Sequence, residues 1–220
     1  MRLKRPLIML RKLLHSDSAI AMTEFAFVLP VLLTLGLYGA EIARMAVTRT
    51  QISQIALSIA DNASRLGQTD NSGVTPTITE DDVDAILDGA MRQGSTIDLE
   101  ENGRVILSSL EYDDYSRRQY IHWQRCRGDM EVESEYGDDD TNNGLTGARI
   151  NGMGSGSNKA TATSDSAVMF VEIEYTYSAL FENPFGSGDR TIRSEAAFLI
   201  RDDRNLDPGL TGSSSDSECD

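Results

Sequence analysis

The chain has 220 residues and a formal net charge of −15, from 35 acidic and 20 basic side chains. So acidic a chain lacks the Lys and Arg excess that must face phosphate, which argues against a nucleic-acid-binding role. Aromatic residues make up only 6% and there are 18 glycines, which predicts a modest core and long loops, in one membrane segment plus one domain of ordinary size.

The charge is unevenly spread. Residues 1–19 carry Arg2, Lys4, Arg5, Arg11 and Lys12 against Asp17 alone, a balance of +4, which leaves −19 for residues 20–220. A basic leader (1–19) before an apolar stretch places the N-terminus in the cytoplasm and the acidic body across the membrane. From Phe25 to Ala40 no residue is charged, while Glu24 and Glu41 bracket the run and Pro30 interrupts it. As a helix, Ile20–Ala43 would span about 36 Å against a hydrocarbon thickness of about 30 Å, so a single transmembrane helix is predicted over 20–44. A cleaved secretory signal fits poorly. A cut after Gly39 puts Leu37 at −3 and a cut after Ala43 puts Glu41 there, where a small residue is needed. Pro30 removes one backbone donor and frees the Ala26 carbonyl, which predicts a kink or an opened turn. Gly36 and Ala40, four apart, permit close approach of another helix. Glu24, an acidic group at a membrane edge, is a functional candidate because such a charge costs free energy unless neutralised or paired.

The stretch SAIAMTEFAFVLPVLL (18–33), behind its basic leader, resembles the prepilin-type signal of TadE-like and TadG-like pseudopilins of tight-adherence (Flp-type) pilus systems. The likeness covers residues 18–67 and extends to WQRC (123–126) and VEIEYTYSALF (171–181). It implies a processing site at Ala19, Ile20, Glu24 and Phe25, where a membrane-embedded prepilin peptidase cuts between Ala19 and Ile20 with Glu24 fifth after the cut. Ala19 stands here where the family usually has Gly. The new α-amine on Ile20 of one subunit and Glu24 of a neighbour would then set the register of a helical bundle, in which Glu24, Pro30, Gly36 and Ala40 take part. The implied partners are the inner membrane, the prepilin peptidase, other pilins or pseudopilins, and the inner-membrane pilus assembly platform. The implied role is that of a minor pilin in pilus assembly, or of a filament or tip component. An unprocessed bitopic inner-membrane anchor, whose periplasmic domain binds an envelope or assembly partner, is the alternative that Ala19 favours.

Beyond Arg44, Ile52, Ile55, Ile59, Ala63 and Leu66 recur at three- and four-residue spacings, with Gln54, Asp61 and Arg65 between them. This stripe predicts an amphipathic continuation of the helix over 45–67, ending near Gly67. An α+β periplasmic domain is expected over 68–205. After a polar linker, a helix over 79–93 is predicted, capped by Thr79, with Asp81 and Asp82 in its first turn and Val83, Ile86, Leu87 and Met91 on its buried face. Gly94 ends it. Four strands are predicted at 104–112, 119–126, 167–180 and 191–201. In the third, Val171, Ile173, Tyr175 and Tyr177 alternate with Glu172, Glu174 and Thr176, a period of two with one polar face. The fold class expected is therefore α+β, a long N-terminal pilin-like helix with a small antiparallel β-meander.

The acidic, then Gly/Ser-rich segment 133–166 reads as a mobile loop, and 206–220 as a flexible tail. DDDTNNG, from Asp138, looks like a calcium loop but has Asn143 where the glycine belongs and Arg149 where a bidentate glutamate is needed, so a solvated turn is expected. Cys126 and Cys219, the only cysteines, can oxidise in an exported domain, and an intramolecular disulfide is expected ahead of free thiols or an intersubunit bridge. His15 lies in the leader and His122 in a strand beside Trp123. Two histidines and two distant cysteines make no metal set, and no phosphate loop or nucleophile motif occurs. No catalytic residue, cofactor or metal is expected.

Overall fold

The computed structural model describes residues 17–67, 75–140, 142–180, 190–201, 204–212 and 217–219, with the backbone alone for 17–19. The chain divides into two units, Met1–Ala46 and Val47–Asp220. Most of the basic leader (1–16), part of the polar linker (68–74) and part of the tail (213–216) lie outside the described residues.

Helix α1, Asp17–Ser64, belongs to both units. In the first unit it runs without interruption through Pro30. Nearby, the Thr34 hydroxyl donates to the Pro30 carbonyl at 2.8 Å, a back-bond to residue i−4 that often bends a helix. In the second unit the predicted stripe is buried: Ile52, Ile55, Ile59 and Ala63 all face the core, with Leu66 half-buried. Gly67, at φ +76°, takes the left-handed conformation just beyond the helix end, where a residue without Cβ meets no penalty.

The second unit continues with β1 (Ile78–Thr79), α2 (Glu80–Gln93), a 3-10 turn (Gly94–Ile97) and α3 (Leu99–Asn102). The strands are β2 (Gly103–Asp113), β3 (Arg118–Arg127), β4 (Val168–Tyr177), β5 (Arg190–Leu199) and β6 (Leu210–Thr211). Thr79 caps α2 as predicted. Its hydroxyl accepts from the Asp82 amide at 3.2 Å while the Asp82 carboxylate accepts from the Thr79 amide at 3.1 Å, a reciprocal capping box. Val83, Leu87, Ala90 and Met91 are buried, and Ile86 is half-buried.

All four predicted strands are present and form one antiparallel sheet in the order β3-β2-β4-β5. This is not a simple meander. The 133–166 segment carries the chain from β3 across the sheet, so β4 pairs with the far side of β2 rather than with β3. The sheet is covered on both faces. On one, Val105, Leu107, Val171, Ile173, Tyr175 and Tyr177 are buried. Arg125 and Arg127, in register with Leu107 and Val105, reach Glu80 and Asp88 of α2, and the Tyr175 hydroxyl donates to the Ile97 carbonyl at 2.8 Å. The helices therefore cover this face.

The other face corrects two expectations. Among its described residues segment 133–166 has no helix or strand of its own, yet it does not stand free in solvent. Met153 and Ala162 pack with Leu110, Ile121, Val168 and Phe170, and Tyr136 meets Phe170 edge-on at 5.2 Å between ring centres. Paired bonds between Met153 and Ala160, at 2.9 and 2.7 Å, close the segment on itself. A polar face was expected on β4, but Glu172 lies beneath this cover and is only 3% exposed. The tail is also tied down: β6 pairs in parallel with β1, and Ser217 is fully buried.

Candidate functional site

The residues singled out for processing and assembly all lie on α1, in the first unit. Ala19 and Ile20 fall within its first turns, and Ile20, Glu24, Phe25, Pro30, Gly36 and Ala40 are exposed. Ile20 and Glu24, one turn apart, share a side of the helix, as do Gly36 and Ala40. The two pairs do not share one face, because the twelve residues from Glu24 to Gly36 rotate about 120° beyond whole turns. A Cβ added at Gly36 or Gly39 would meet nothing within 4 Å. The most apolar 18-residue window of α1 is 0% buried, and α1 is long and apolar enough to cross a membrane. This stretch of helix is apolar and exposed, a candidate membrane span by its length and composition.

The second unit is closed by the Cys126–Cys219 disulfide, with an S–S distance of 2.02 Å and Cα atoms 5.0 Å apart. Beside it the Cys126 amide donates to the Ser217 carbonyl at 2.7 Å, so the tail covers the outer edge of β3. Farther along that edge, the Gln124 amide donates to the Asp139 carboxylate at 2.9 Å and the Ile121 amide to the Asn143 carbonyl at 2.7 Å. The acidic turn thus serves the strand. Asp138 Oδ1 accepts from the Asp140 and Asn142 amides, and Asp139 also pairs with Arg125 at 3.5 Å. Among the described residues no group of three His, Cys, Asp or Glu is arranged to hold a metal.

Three buried polar clusters were not legible in the sequence. In the first, the β2–β3 register slips after Ser109, which makes His122 an extra residue on β3 and turns its ring toward Glu111. Glu111, 4% exposed, binds His122 Nδ1 at 2.9 Å, the Tyr120 hydroxyl at 3.2 Å and the Ser109 hydroxyl at 2.9 Å. The hydrogen bond to Glu111 holds His122 above the ordinary histidine range against the opposing effect of burial. Burial, reinforced by Glu111, raises the Tyr120 hydroxyl.

In the second cluster, Arg193 bridges Glu172 (2.7 Å), Glu195 (2.9 Å) and Glu135. Ser134 donates to Glu172 at 2.5 Å and the Tyr136 hydroxyl to Glu195 at 2.9 Å. Burial raises Glu172, and the hydrogen bond from Ser134 and the charge of Arg193 offset this only in part. Burial also pushes the Tyr136 hydroxyl up to about 12. Arg193, Glu195 and Glu135 line a cleft of about 600 Å³, where they pair with one another. In the third, Glu80 takes both Nε and Nη2 of Arg125, at 2.8 and 2.5 Å, which locks the start of α2 to β3.

Arg204, 7% exposed, donates to the Ala63 carbonyl and to Met169 Sδ, both at 3.3 Å, and its burial lowers the guanidinium to about 10. These groups join segments far apart in the chain, and the i to i+3 or i+2 spacings that reveal caps and strand faces carry no trace of them. The conspicuous signal is an acidic residue amid a strand's apolar run, as Glu111 and Glu172 are.

Comparison with protein-family models, with curated proteins and with solved structures finds no match. The described residues present an exposed apolar helix in the first unit and, in the second, three buried or half-buried clusters of charged side chains bonded to one another.

Proposed function

We propose that the chain is a pilin-like subunit of a tight-adherence (Flp-type) pilus system, held in the inner membrane by the first part of α1 with its disulfide-closed domain in the periplasm. It acts in pilus assembly or as a minor filament or tip component. One observation carries this reading. No residue in the apolar stretch of α1 is buried within the chain, and Glu24 lies on that exposed helix one turn after Ile20. A helix that serves only as an anchor gains nothing from a carboxylate one turn after Ile20. In a helical bundle the same carboxylate, if unpaired, would be heavily penalised, so it selects a subunit arrangement that brings an amine to it. The disulfide fits the periplasm, where such bonds persist.

The N-terminal sequence or intact mass of the protein from its native membrane tests the proposal. A mature chain starting at Ile20 supports processing by the prepilin peptidase. A retained leader instead supports the second reading, an unprocessed bitopic anchor, which Ala19 in the place of the usual Gly favours. A Glu24→Ala protein that joins filaments or assembly complexes as the unaltered protein does would remove the register role.

A further inference from the structure

The two edges of the sheet are built differently. On β3, the outward amides of Ile121, Gln124 and Cys126 are each taken by the acidic turn or by the tail. On β5 the pairing with β4 is regular across all ten residue pairs, from Tyr177–Arg190 to Val168–Leu199. The Ile200 amide donates to the Ala167 carbonyl at 3.0 Å, which continues that register by one pair. Pairs that exchange hydrogen bonds alternate along an antiparallel ladder, so Phe198, Ala196, Ser194 and Ile192 bond to β4. The amides of Thr191, Arg193, Glu195 and Ala197 therefore point away from the sheet, and among the described residues no hydrogen bond from outside β4 reaches the backbone of these four.

Exposed edges of this length are normally blunted by a proline, by charged side chains (lysine above all), by a bulge or by a covering loop. RTIRSEAAFL (190–199) has no proline or lysine and its ladder has no register shift, and two of its charges, Arg193 and Glu195, are paired with each other, which leaves the backbone edge itself uncovered among the described residues. Arg193 and Glu195, paired within the chain, are also self-complementary between two copies, so that the two pairs would join in one alternating cluster. In a two-fold antiparallel pairing through the outward amides, the odd-numbered residues must face one another. A centre at Arg193 would oppose two arginines, and a centre at Glu195 would oppose two glutamates. A centre at Ser194 sets Arg193 against the partner's Glu195, twice over, and Ala197 against the partner's Thr191. Ile192 and Ala196, both on the helix-covered face, also come opposite each other.

We infer that β5 pairs with β5 of a second copy of this chain about a two-fold axis at Ser194, which joins two four-stranded sheets into one of eight strands. The occupant is a copy of the chain because the charge order along the strand matches its own reverse, and main-chain bonding at a free edge supplies the rest. This inference does not rest on the pilin reading and can fail without it.

The test uses the full-length protein in membranes, with Ser194→Cys and mild copper-phenanthroline oxidation, read on non-reducing gels. Across the axis, residue 194 forms a non-hydrogen-bonded pair with Cα atoms about 4.5 Å apart, within reach of a disulfide. The two native cysteines are already paired. The expected result is a covalent dimer for Ser194→Cys and none for Tyr115→Cys, which is 99% exposed on the β2–β3 turn. Adding Ala197→Pro should reduce the dimer at least tenfold, since the lost amide is one that β4 does not use. Thr191→Pro provides the same check should Ala197→Pro fail to accumulate. Absence of the Ser194→Cys dimer, an equal yield from Tyr115→Cys, or a dimer indifferent to both prolines overturns the inference, and the first of these is also the outcome if a different protein covers β5.

Discussion

Met153→Ala tests whether segment 133–166 is part of the core. The Met153 side chain is 0% exposed and sits among Leu110, Ile121, Val168 and Phe170, while its own backbone is held by two bonds to Ala160. With strands on one side and a closed bridge on the other, the cavity left by truncation has little room to collapse. Buried Met→Ala changes cost about 2–5 kcal/mol, and a site this constrained should cost about 3 kcal/mol. That is a large part of the roughly 5–15 kcal/mol that holds a domain folded. With a urea slope of about 2 kcal/mol/M, the unfolding midpoint should fall by about 1.5 M. Trp123, the one tryptophan and 5% exposed, provides the fluorescence signal in detergent-solubilised full-length protein with the disulfide intact. A shift below about 0.25 M, equivalent to the roughly 0.5 kcal/mol of a surface change, would return the segment to a solvated loop.

Three further outcomes are expected. Thr79→Ala removes the capping box of α2 and should lower stability by about 1 kcal/mol, measured by the same urea titration. Replacing both Cys126 and Cys219 by Ser frees a closure between residues 93 apart in sequence and should cost about 4–5 kcal/mol in the chain-entropy account, visible as a lowered midpoint that reducing agent no longer changes. The His122–Glu111 pair should make stability depend on pH. His122 is raised in the folded protein, so its contribution is complete below the ordinary value of 6.5 and is lost as pH rises through the higher folded value. Urea midpoints taken across that window should fall with rising pH in the unaltered protein and show a flatter profile in His122→Gln.

Local geometry was legible because it is written in local spacings. Thr79 three residues before Asp82 announces a capping box, and Gly94 marks the end of α2. Val171, Ile173, Tyr175 and Tyr177 alternate as a strand's buried face must, and the Ile52–Ala63 stripe follows the turn of a helix. The candidate membrane span was legible for the same reason, since length and apolarity are properties of one segment. The strand order was not. Nothing within β4 says that it pairs with β2 in place of β3, because that choice depends on the path of the intervening chain.

The sequence by itself determined the elements: a long apolar-to-amphipathic helix, a capped second helix, four strands, and a cysteine pair able to close the domain. Only the tertiary structure decided what the irregular chain does. Met153 and Tyr136 stand in a polar, glycine-rich stretch with no period, and folding alone carries them onto Phe170. Glu111 meets His122 only because one bulge shifts the register of β3, and Arg204 is buried only because the tail crosses α1 and β4. The physical reason is that periodicity records how a segment sits on its nearest layer. Contacts between segments remote in sequence are set by loop closure and by which faces are left to cover, and these are properties of the assembled chain.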